Sequence, residues 1–541
     1  MSDPCGAGFS PPGLPEHADV AHLLAALPRR ISDIPALGAV RAPHDEALRE
    51  EERAWTFADL EDATVAVARQ LTAAGVRPGD RVLVVSENCA AMVALLFGIA
   101  RVHAWSVLVN ARLSPREIDA ICDHCEPRRI VYLTHASAAA RLHAGRHDAG
   151  ESLTIPSMAD VQMGPLAADC MPETVADDPA TQVAVLLYTT GTTGSPKGVM
   201  LTHRNLLFIA KVSSTLRCLG PGDRVYGVLP ISHVYGLASV CLGTLFAGAC
   251  LQLEARYSPQ AMARALAKSG ITVAQGVPAM YVKLLDHLRA TGQPVVAPGL
   301  RFIYAGGSPL DPALKTEVEQ QFGLTLHNGY GLTEASPTVT QTRLETPRTD
   351  CSVGIVLPGV EIRIVDAKGN DLPAGASGEL WVRGPNVMRG YFKNAELTAQ
   401  TIDADGWLNT GDMARQEADG ALFIVGRTKE LIIRSGFNVY PAEVEGVLNA
   451  HPDVTHSAVV GRPVAGNEEV VAFVELIPGG ATSIDELARF AAQHLAPYKR
   501  PAEIVILPLL PVSATGKILK HQLRTQALAR GATSTPVAEH R

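Results

Sequence analysis

Residues Tyr188–Val199 read Y-T-T-G-T-T-G-S-P-K-G-V, placing three glycines, four threonines, a serine and a lysine directly after the apolar run Val183–Leu187. Glycines let a backbone turn tightly and bring its N–H groups close to a ligand, while hydroxyls and a lysine add further donors, a combination suited to a polyphosphate. The usual nucleotide loop is G-x-x-x-x-G-K-[ST]. Counted from Gly191, Pro196 stands at the second glycine and Gly198 follows Lys197 where Ser or Thr belongs, so this is a phosphate loop of another kind. Four more polar stretches follow at long intervals. Asn328–Glu334 is N-G-Y-G-L-T-E, with an aromatic between glycines to face a base and a carboxylate, Glu334, of the kind that holds Mg²⁺ beside phosphate. Asn409–Asp412 is N-T-G-D, Gly426–Glu445 is G-R-T-K-E-L-I-I-R-S-G-F-N-V-Y-P-A-E-V-E, and Thr515–Lys517 is T-G-K. Taken singly, the first two also read as tight turns and Lys517 as a solvated charge.

The elements that must position these residues show in the pattern around them. Apolar runs at Arg81–Val85, Arg129–Leu133, Val183–Leu187, Val225–Leu229, Ile271–Gln275 and Phe302–Ala305 are expected strands. They alternate with expected helices from Trp55–Leu60 on to Leu71, with Thr56 as cap, and at Ala90–Ala100, Leu206–Val212, Ser239–Phe246 and Met280–Arg289. That alternation predicts layered α/β subdomains with parallel sheets. Residues 141–180 are more polar and are expected to link two of them. From about Val353 short strands at Val360–Val365, Gly378–Arg383 and Ala421–Val425 predict a small β subdomain, and the texture from Lys429 to about Arg530 predicts a compact α+β domain. The fold class is thus α/β: a large N-terminal domain of two layered subdomains plus a small β subdomain, with a smaller α+β domain after it.

A chain of 541 residues exceeds a single core, and 47% hydrophobic with 19% charged residues describes a globular protein. The net charge of −8 offers no basic footprint for nucleic acid. No apolar run reaches membrane-spanning length, and Met1–Leu14 lacks the basic and apolar regions of a secretory signal. Nine scattered cysteines then predict reduced thiols and a cytoplasmic location. Cys122 and Cys125 form C-D-H-C, half of a zinc pattern with no second pair to complete it.

In combination and order, Y-T-T-G-T-T-G-S-P-K-G, G-Y-G-L-T-E, N-T-G-D, the long G-R-T-K-E segment and the late T-G-K resemble the adenylate-forming enzyme superfamily, from about Trp55 to Lys520. The resemblance implies an N-terminal adenylation domain over residues 1–426, a hinge at 427–430 around Lys429, a mobile C-terminal domain over 431–530 and a disordered tail at 531–541. It implies ATP, Mg²⁺ and coenzyme A as partners of a carboxylic acid. Thr189, Thr190, Gly191, Thr192, Thr193, Gly194 and Lys197 would cradle the β- and γ-phosphates. Gly306, Gly307, Asn328, Gly329 and Tyr330 would line the adenine site, Gly331 would also touch ATP, Thr333 would meet the α-phosphate, Glu334 would bind Mg²⁺, and Asp412 with Arg427 would hold the ribose. Lys517 would reach the forming acyl-phosphate, and Ser435, Gly436 and Phe437 would border the thiol path.

The amino-acid-activating branch carries an aspartate after the P-[IL] that follows the loop; here Pro230–Leu237 is P-I-S-H-V-Y-G-L, with His233 and no acid, as in acyl- and aryl-CoA ligases. By the same resemblance His233, Tyr235, Gly236, Val277, Ala305, Gly331, Leu332, Pro337 and Thr338 would wall the acid pocket. Most are small or apolar, so a fatty or aromatic acid is expected; Lys283 could serve a second carboxylate but sits on a helix where it faces solvent. The expected activity is acid–CoA ligation through acyl-AMP, with carrier-protein delivery, a luciferase-like oxidase and a non-catalytic binding module as alternatives, in a monomer or homodimer.

Overall fold

The computed structural model describes residues 20–155, 161–190, 196–434, 437–464, 467–477, 479–512 and 518–533. It divides into two compact units: Met1–Leu310 with Leu314–Ile362 and Trp381–Thr410, and Asp311–Ala313 with Arg363–Leu380 and Gly411–Arg541. The expected boundary at residue 426 falls inside the second unit, within the strand Leu422–Arg427.

The first unit holds two large sheets. In one, Val183–Thr190, Trp105–Asn110, Arg81–Ser86 and Arg129–Tyr132 lie parallel in that order. These strands read as unbroken apolar runs because both faces are covered; Ala90–Arg101 supplies part of the cover, with every residue from Ala90 to Ala100 buried. Antiparallel strands close the edges. Pro196–Thr202 folds back on Val183–Thr190 and carries Gly390–Tyr391 beyond it. At the far edge, Val161–Met163 and Glu151–Leu153 extend the sheet, so the stretch 141–180 is edge rather than linker. The sequence hides this because three-residue edge strands carry too little periodicity to register.

The second sheet has nine strands. Leu326–Gly331, Phe302–Gly306, Val273–Gly276, Arg224–Gly227, Cys250–Leu253 and Glu46–Glu50 run parallel, and short antiparallel strands flank them. Thr56 caps the helix Phe57–Ala73 through a reciprocal pair with Asp59, as expected, but Trp55 lies in the strand Arg53–Thr56 instead of opening the helix. The expected helix at Ser239–Phe246 begins earlier, as a π-helix over Tyr235–Leu242 that passes into Gly243–Ala247.

Within the second unit, Val454–Val464, Asn467–Leu476 and Glu503–Leu507 form a three-stranded sheet. Alternation sends Val470, Ala472 and Val474 to one face, against Val444, Leu448 and Leu487 of two helices, and Val471 and Phe473 to the other, against Leu523 and Ala527. Most of a four-stranded sheet belongs to this unit too, ending in the pair Leu408–Gln416 and Leu422–Arg427. The last helix runs Lys520–Thr533, so residues 531–533 are helical and not tail; 534–541 lie outside the described residues. Among the described cysteines seven are free, while Cys218 is disulfide-bonded, against the expectation that all thiols are reduced. No helix among the described residues is long and apolar enough to cross a membrane.

His203, 1% exposed at the start of the helix His203–Leu216, accepts the Ile31 N–H on its Nδ1 at 3.2 Å. Burial holds its imidazole down to about 3. A histidine that stays neutral when folded but protonates when unfolded lends stability above its ordinary value near 6.5, and loses it as pH falls from there toward 3. Urea unfolding is therefore expected to show stability falling between pH 7.5 and 5, by up to about 1.4 kcal/mol per pH unit from this residue. His203→Asn should flatten that dependence; an unchanged slope would refute the assignment.

Candidate active site

The hairpin of Val183–Thr190 and Pro196–Thr202 pairs Thr189 with Lys197 and Thr190 with Pro196, so the strands open into residues 191–195 with Lys197 at their mouth. Gly191, Thr192, Thr193 and Gly194 lie outside the described residues. Beneath the hairpin, the Tyr188 hydroxyl bonds to His124 Nδ1 at 2.7 Å. Burial raises the phenol and lowers the imidazole, so the bond joins two neutral groups. The C-D-H-C segment thus contributes its histidine to the hairpin, while Cys125 is buried on the helix Pro115–Cys125.

Glu334 is brought to this hairpin from the second sheet. It lies in a short 3₁₀ turn, Thr333–Ala335, after the strand Leu326–Gly331. The segment Pro385–Tyr391 fastens it there. Asn205 Nδ2 donates to the carbonyls of Pro385 and Val387 at 2.7 and 2.8 Å. Asn386 Nδ2 donates to Thr338 O at 3.0 Å, and the Met388 N–H donates to Glu334 O at 2.9 Å. At its end, the Tyr391 hydroxyl donates to Glu334 Oε1 at 2.8 Å while the Lys197 ammonium stands 5.6 Å from the ring centre. One tyrosine therefore couples the cation of this hairpin to the carboxylate of the N-G-Y-G-L-T-E turn, 57 residues away in the chain. Sequence reasoning missed Tyr391; the nearby glycines and asparagine were its only signal.

The carboxyl ends of the second sheet carry the remaining expected residues of the first unit. Gly306 ends its strand and Gly307 follows it, at φ +82°. A side chain on Gly306 would press on the rings of Tyr304 and Tyr235 at 3.2 and 3.4 Å. Gly329 is pressed against the Tyr304 hydroxyl, and Gly331 against the Pro337 carbonyl. The Leu332 N–H donates to Pro337 O at 2.9 Å, across a turn with a cis Ser336–Pro337 bond. Thr338 Oγ1 lies 3.2 Å from Ser239 Oγ. Tyr330 and Thr333 are half-buried, and Ala305 is fully buried. Asn328 is buried, but its amide donates to the carbonyls of Ser352 and Cys351 at 3.2 and 3.3 Å and accepts the Gly329 N–H at 2.9 Å. Its side chain orders the loop beside the site.

Asn88, at the end of the strand Arg81–Ser86, fixes the approach to His233. Its amide donates to the carbonyls of Gly227 and Leu229 at 3.1 and 2.9 Å and accepts the Ile231 N–H at 2.9 Å. His233 Nδ1 accepts the Tyr235 N–H at 3.3 Å, and its ring is half-buried. Gly236 sits where an added Cβ would overlap the Pro230 carbonyl. Val277 precedes the helix Pro278–Thr291, and Lys283 on that helix is exposed, as expected. Behind this wall the side chains are more polar than expected: Tyr304, Gln275 and a fully buried Arg217.

In the second unit, Asp412 is opposite Arg427 in adjacent strands, with Arg427 Nε 3.2 Å from Asp412 Oδ1; the arginine is 63% exposed and the carboxylate 7%. An exposed guanidinium on a fixed carboxylate is free to turn toward a ligand. Lys429 is exposed in the turn Thr428–Glu430. Phe437 is exposed and stacks on Tyr498 at 4.6 Å, while Ser435, Gly436 and Lys517 lie outside the described residues. Lys520, unforeseen from sequence, reaches Glu430 at 2.9 Å and Glu445 at 2.8 Å, tying the last helix to the Lys429 turn.

The family model for AMP-binding enzymes matches residues 37–392, and that for the AMP-binding enzyme C-terminal domain matches residues 443–517. The chain belongs to the AMP-binding enzyme family. It is 36% identical over 498 residues to feruloyl-CoA synthase of an Amycolatopsis species, covering 91% of this chain and 97% of that one. It is 34% identical over 497 residues to indoleacetate–CoA ligase of Aromatoleum aromaticum, covering 90% and 96%. Among solved structures, ATP-bound MatB from Rhodopseudomonas palustris superposes with a TM-score of 0.81 at 29% identity, covering 92% and 98%. The Bacillus subtilis o-succinylbenzoate CoA synthetase with its acyl-adenylate gives 0.77 at 28%, covering 91% and 98%.

Tyr391→Phe keeps the ring over Lys197 but frees Glu334 Oε1. Hydrogen bonds to charged groups contribute about 1.5–3 kcal/mol, so ATP is expected to bind about tenfold or more weakly by calorimetry, with the melting temperature little changed. Wild-type affinity in the variant would show that the bond does not order the site.

Proposed function

We propose that this chain is an ATP-dependent acid–CoA ligase acting on an aryl-substituted carboxylic acid. The observation that carries the reading is the Lys197–Tyr391–Glu334 arrangement, which joins the phosphate hairpin to the acidic turn in a chain of this family. The relatives named for feruloyl, 4-coumarate and indoleacetate substrates support the aryl acid.

A carboxylate is a poor electrophile because it would have to expel O²⁻. Its oxygen instead attacks the α-phosphorus of ATP, the bond to the bridging oxygen breaks, and pyrophosphate leaves. The CoA sulfur, having lost its proton, then attacks the acyl carbon and AMP departs. Such transfers are catalysed by positioning and charge neutralisation. In this scheme the loop 189–194 and Lys197 hold the leaving pyrophosphate, Thr333 meets the α-phosphate, and Asp412 with Arg427 takes the ribose. The glycines at 306, 307, 329 and 331 let the adenine and the acid approach the backbone. Glu334 suits Mg²⁺, since one carboxylate with phosphate oxygens and water is the donor set that ion takes from nucleotide sites; when bound, it neutralises phosphate charge. Among the described residues no group of three or more metal-binding side chains competes for that role.

Residues 427–430 act as the hinge between an adenylation domain and a mobile domain over 431–530. Lys517 serves the first half-reaction, and the Ser435–Phe437 stretch borders the CoA arm in the second.

Pyrophosphate release over a panel of aryl and fatty acids, with and without CoA, and mass detection of the products tests the reading. Pyrophosphate and a CoA thioester with aryl acids are expected; acyl-AMP that persists in the presence of CoA would overturn it. Lys517→Ala is expected to slow acyl-AMP formation on the order of a hundredfold or more while sparing thioester formation from supplied acyl-AMP. Equal loss in both halves would sink that division of labour. Gly436→Trp should block thioester formation and leave pyrophosphate exchange intact; loss of exchange as well would contradict a role confined to the thiol path.

A further inference from the structure

Against the second sheet lies a buried cation with no counter-ion among the described residues. Arg217 follows the helix His203–Leu216 and is 0% exposed. Its Nη1 donates to Ser239 O at a long 3.4 Å, and its guanidinium lies 4.7 Å from the Tyr304 ring centre. Nε and Nη2 are buried with no hydrogen-bond partner. No carboxylate forms an ion pair with it among the described residues. Two neighbours repeat the pattern. The Tyr235 hydroxyl, on a ring packed edge-on to Tyr304 at 6.2 Å, is buried and unpartnered. Gln275 is opposite Tyr304 in the parallel register, so its side chain leaves the same face, and both its amide oxygen and its amide nitrogen are unpartnered. Burial pushes both phenols upward; the Arg217 charge opposes that shift at both, and a hydrogen bond from Arg217 opposes it further at Tyr304, so each keeps its proton.

Native interiors seldom leave such groups unmatched, because a buried unpaired charge or donor is costly. Here two N–H groups of a cation, a phenol and a carboxamide are unmatched around Tyr304, so a ligand supplies the partner. Their depth says which part of the ligand. The chemistry lies beyond the carboxyl ends of the strands, at Gly306 and Gly331, and Tyr304 is two residues further in, about 6–7 Å along the strand. We infer that Arg217, with Tyr235 and Gln275, binds an oxygen function at the far end of the substrate acid, a second carboxylate or a phenol. This rests on the acid–CoA ligase reading. It adds a polar contact at Arg217 to a pocket whose expected wall is mostly small or apolar, while Lys283 is exposed, as expected.

Three acids of one shape test it: 3-phenylpropenoic acid and its 4-carboxy and 4-hydroxy derivatives. Calorimetry with the intact protein is expected to show at least one substituted acid binding about tenfold or more tightly than the parent, since a site built for a polar group rejects an analogue that lacks it. A 4-carboxy preference identifies a carboxylate partner, and a 4-hydroxy preference a phenol. In Arg217→Met the ratio of substituted to parent affinity should collapse toward one, and Arg217→Lys should restore part of it. Gln275→Leu should lower the ratio without abolishing it, and this variant decides the matter if Arg217→Met does not fold. Equal binding of all three acids, or a ratio unchanged in the variants, overturns the inference. Binding preference with no thioester product would defeat the ligase reading and leave this site standing; thioester from all three acids at equal kcat/KM would defeat the site and leave the ligase reading standing.

Discussion

The site depends on one phenol standing between a cation and a carboxylate. Lys197 lies on a strand of one sheet, and Glu334 lies in a turn that follows a strand of the other. Tyr391 joins them because Pro385–Tyr391 is held at both ends: by Asn205 and Asn386 on one side and by the antiparallel pairing of Gly390–Tyr391 with Val199 and Met200 on the other. The hydroxyl can only donate to Glu334, since burial and the adjoining negative charge both raise it. A fixed donor gives the carboxylate one defined orientation, with its second oxygen left for a ligand. Preorganisation of this kind is what electrostatic catalysis needs, because nothing must reorient when charge moves.

Asn88 plays a comparable part between the sheets. By taking two carbonyls and one N–H from residues 227–231, it decides where the chain turns before His233 and the π-helix. The π-helix buries Tyr235 through Leu242 completely, and irregular turns of this type recur at functional sites. It packs the Tyr235 ring edge-on to Tyr304, and so brings a loop and a strand of the second sheet to one pocket.

Much of this was legible in the residues. Buried parallel strands show as apolar runs, and Thr56 and the glycine-rich motifs have local causes that local sequence reveals. The order of the motifs carried the family. What stayed hidden depends on tertiary register. Tyr391 and Arg217 are single residues in stretches with no diagnostic spacing, and the meaning of each comes from a partner more than fifty residues away. Gln275 read as the end of a strand; only its pairing with Tyr304 shows which face it serves. The edge strands at 151–163 were too short to show a period.

The glycines around the pocket differ in kind from its side chains. At Gly236 and Gly331 the obstacle to a methyl group is a peptide carbonyl, part of the frame itself, and at Gly329 it is both a phenol and a carbonyl. Backbone does not yield as a flexible side chain does. The breadth of the cleft is therefore fixed by main chain and is common to any variant that keeps the fold, whereas its depth and polarity rest on a few exchangeable rings and polar groups. Changes in acid preference over evolutionary time, or in a laboratory selection, have to enter through those groups, and mutational tolerance at the glycines should be nearly nil.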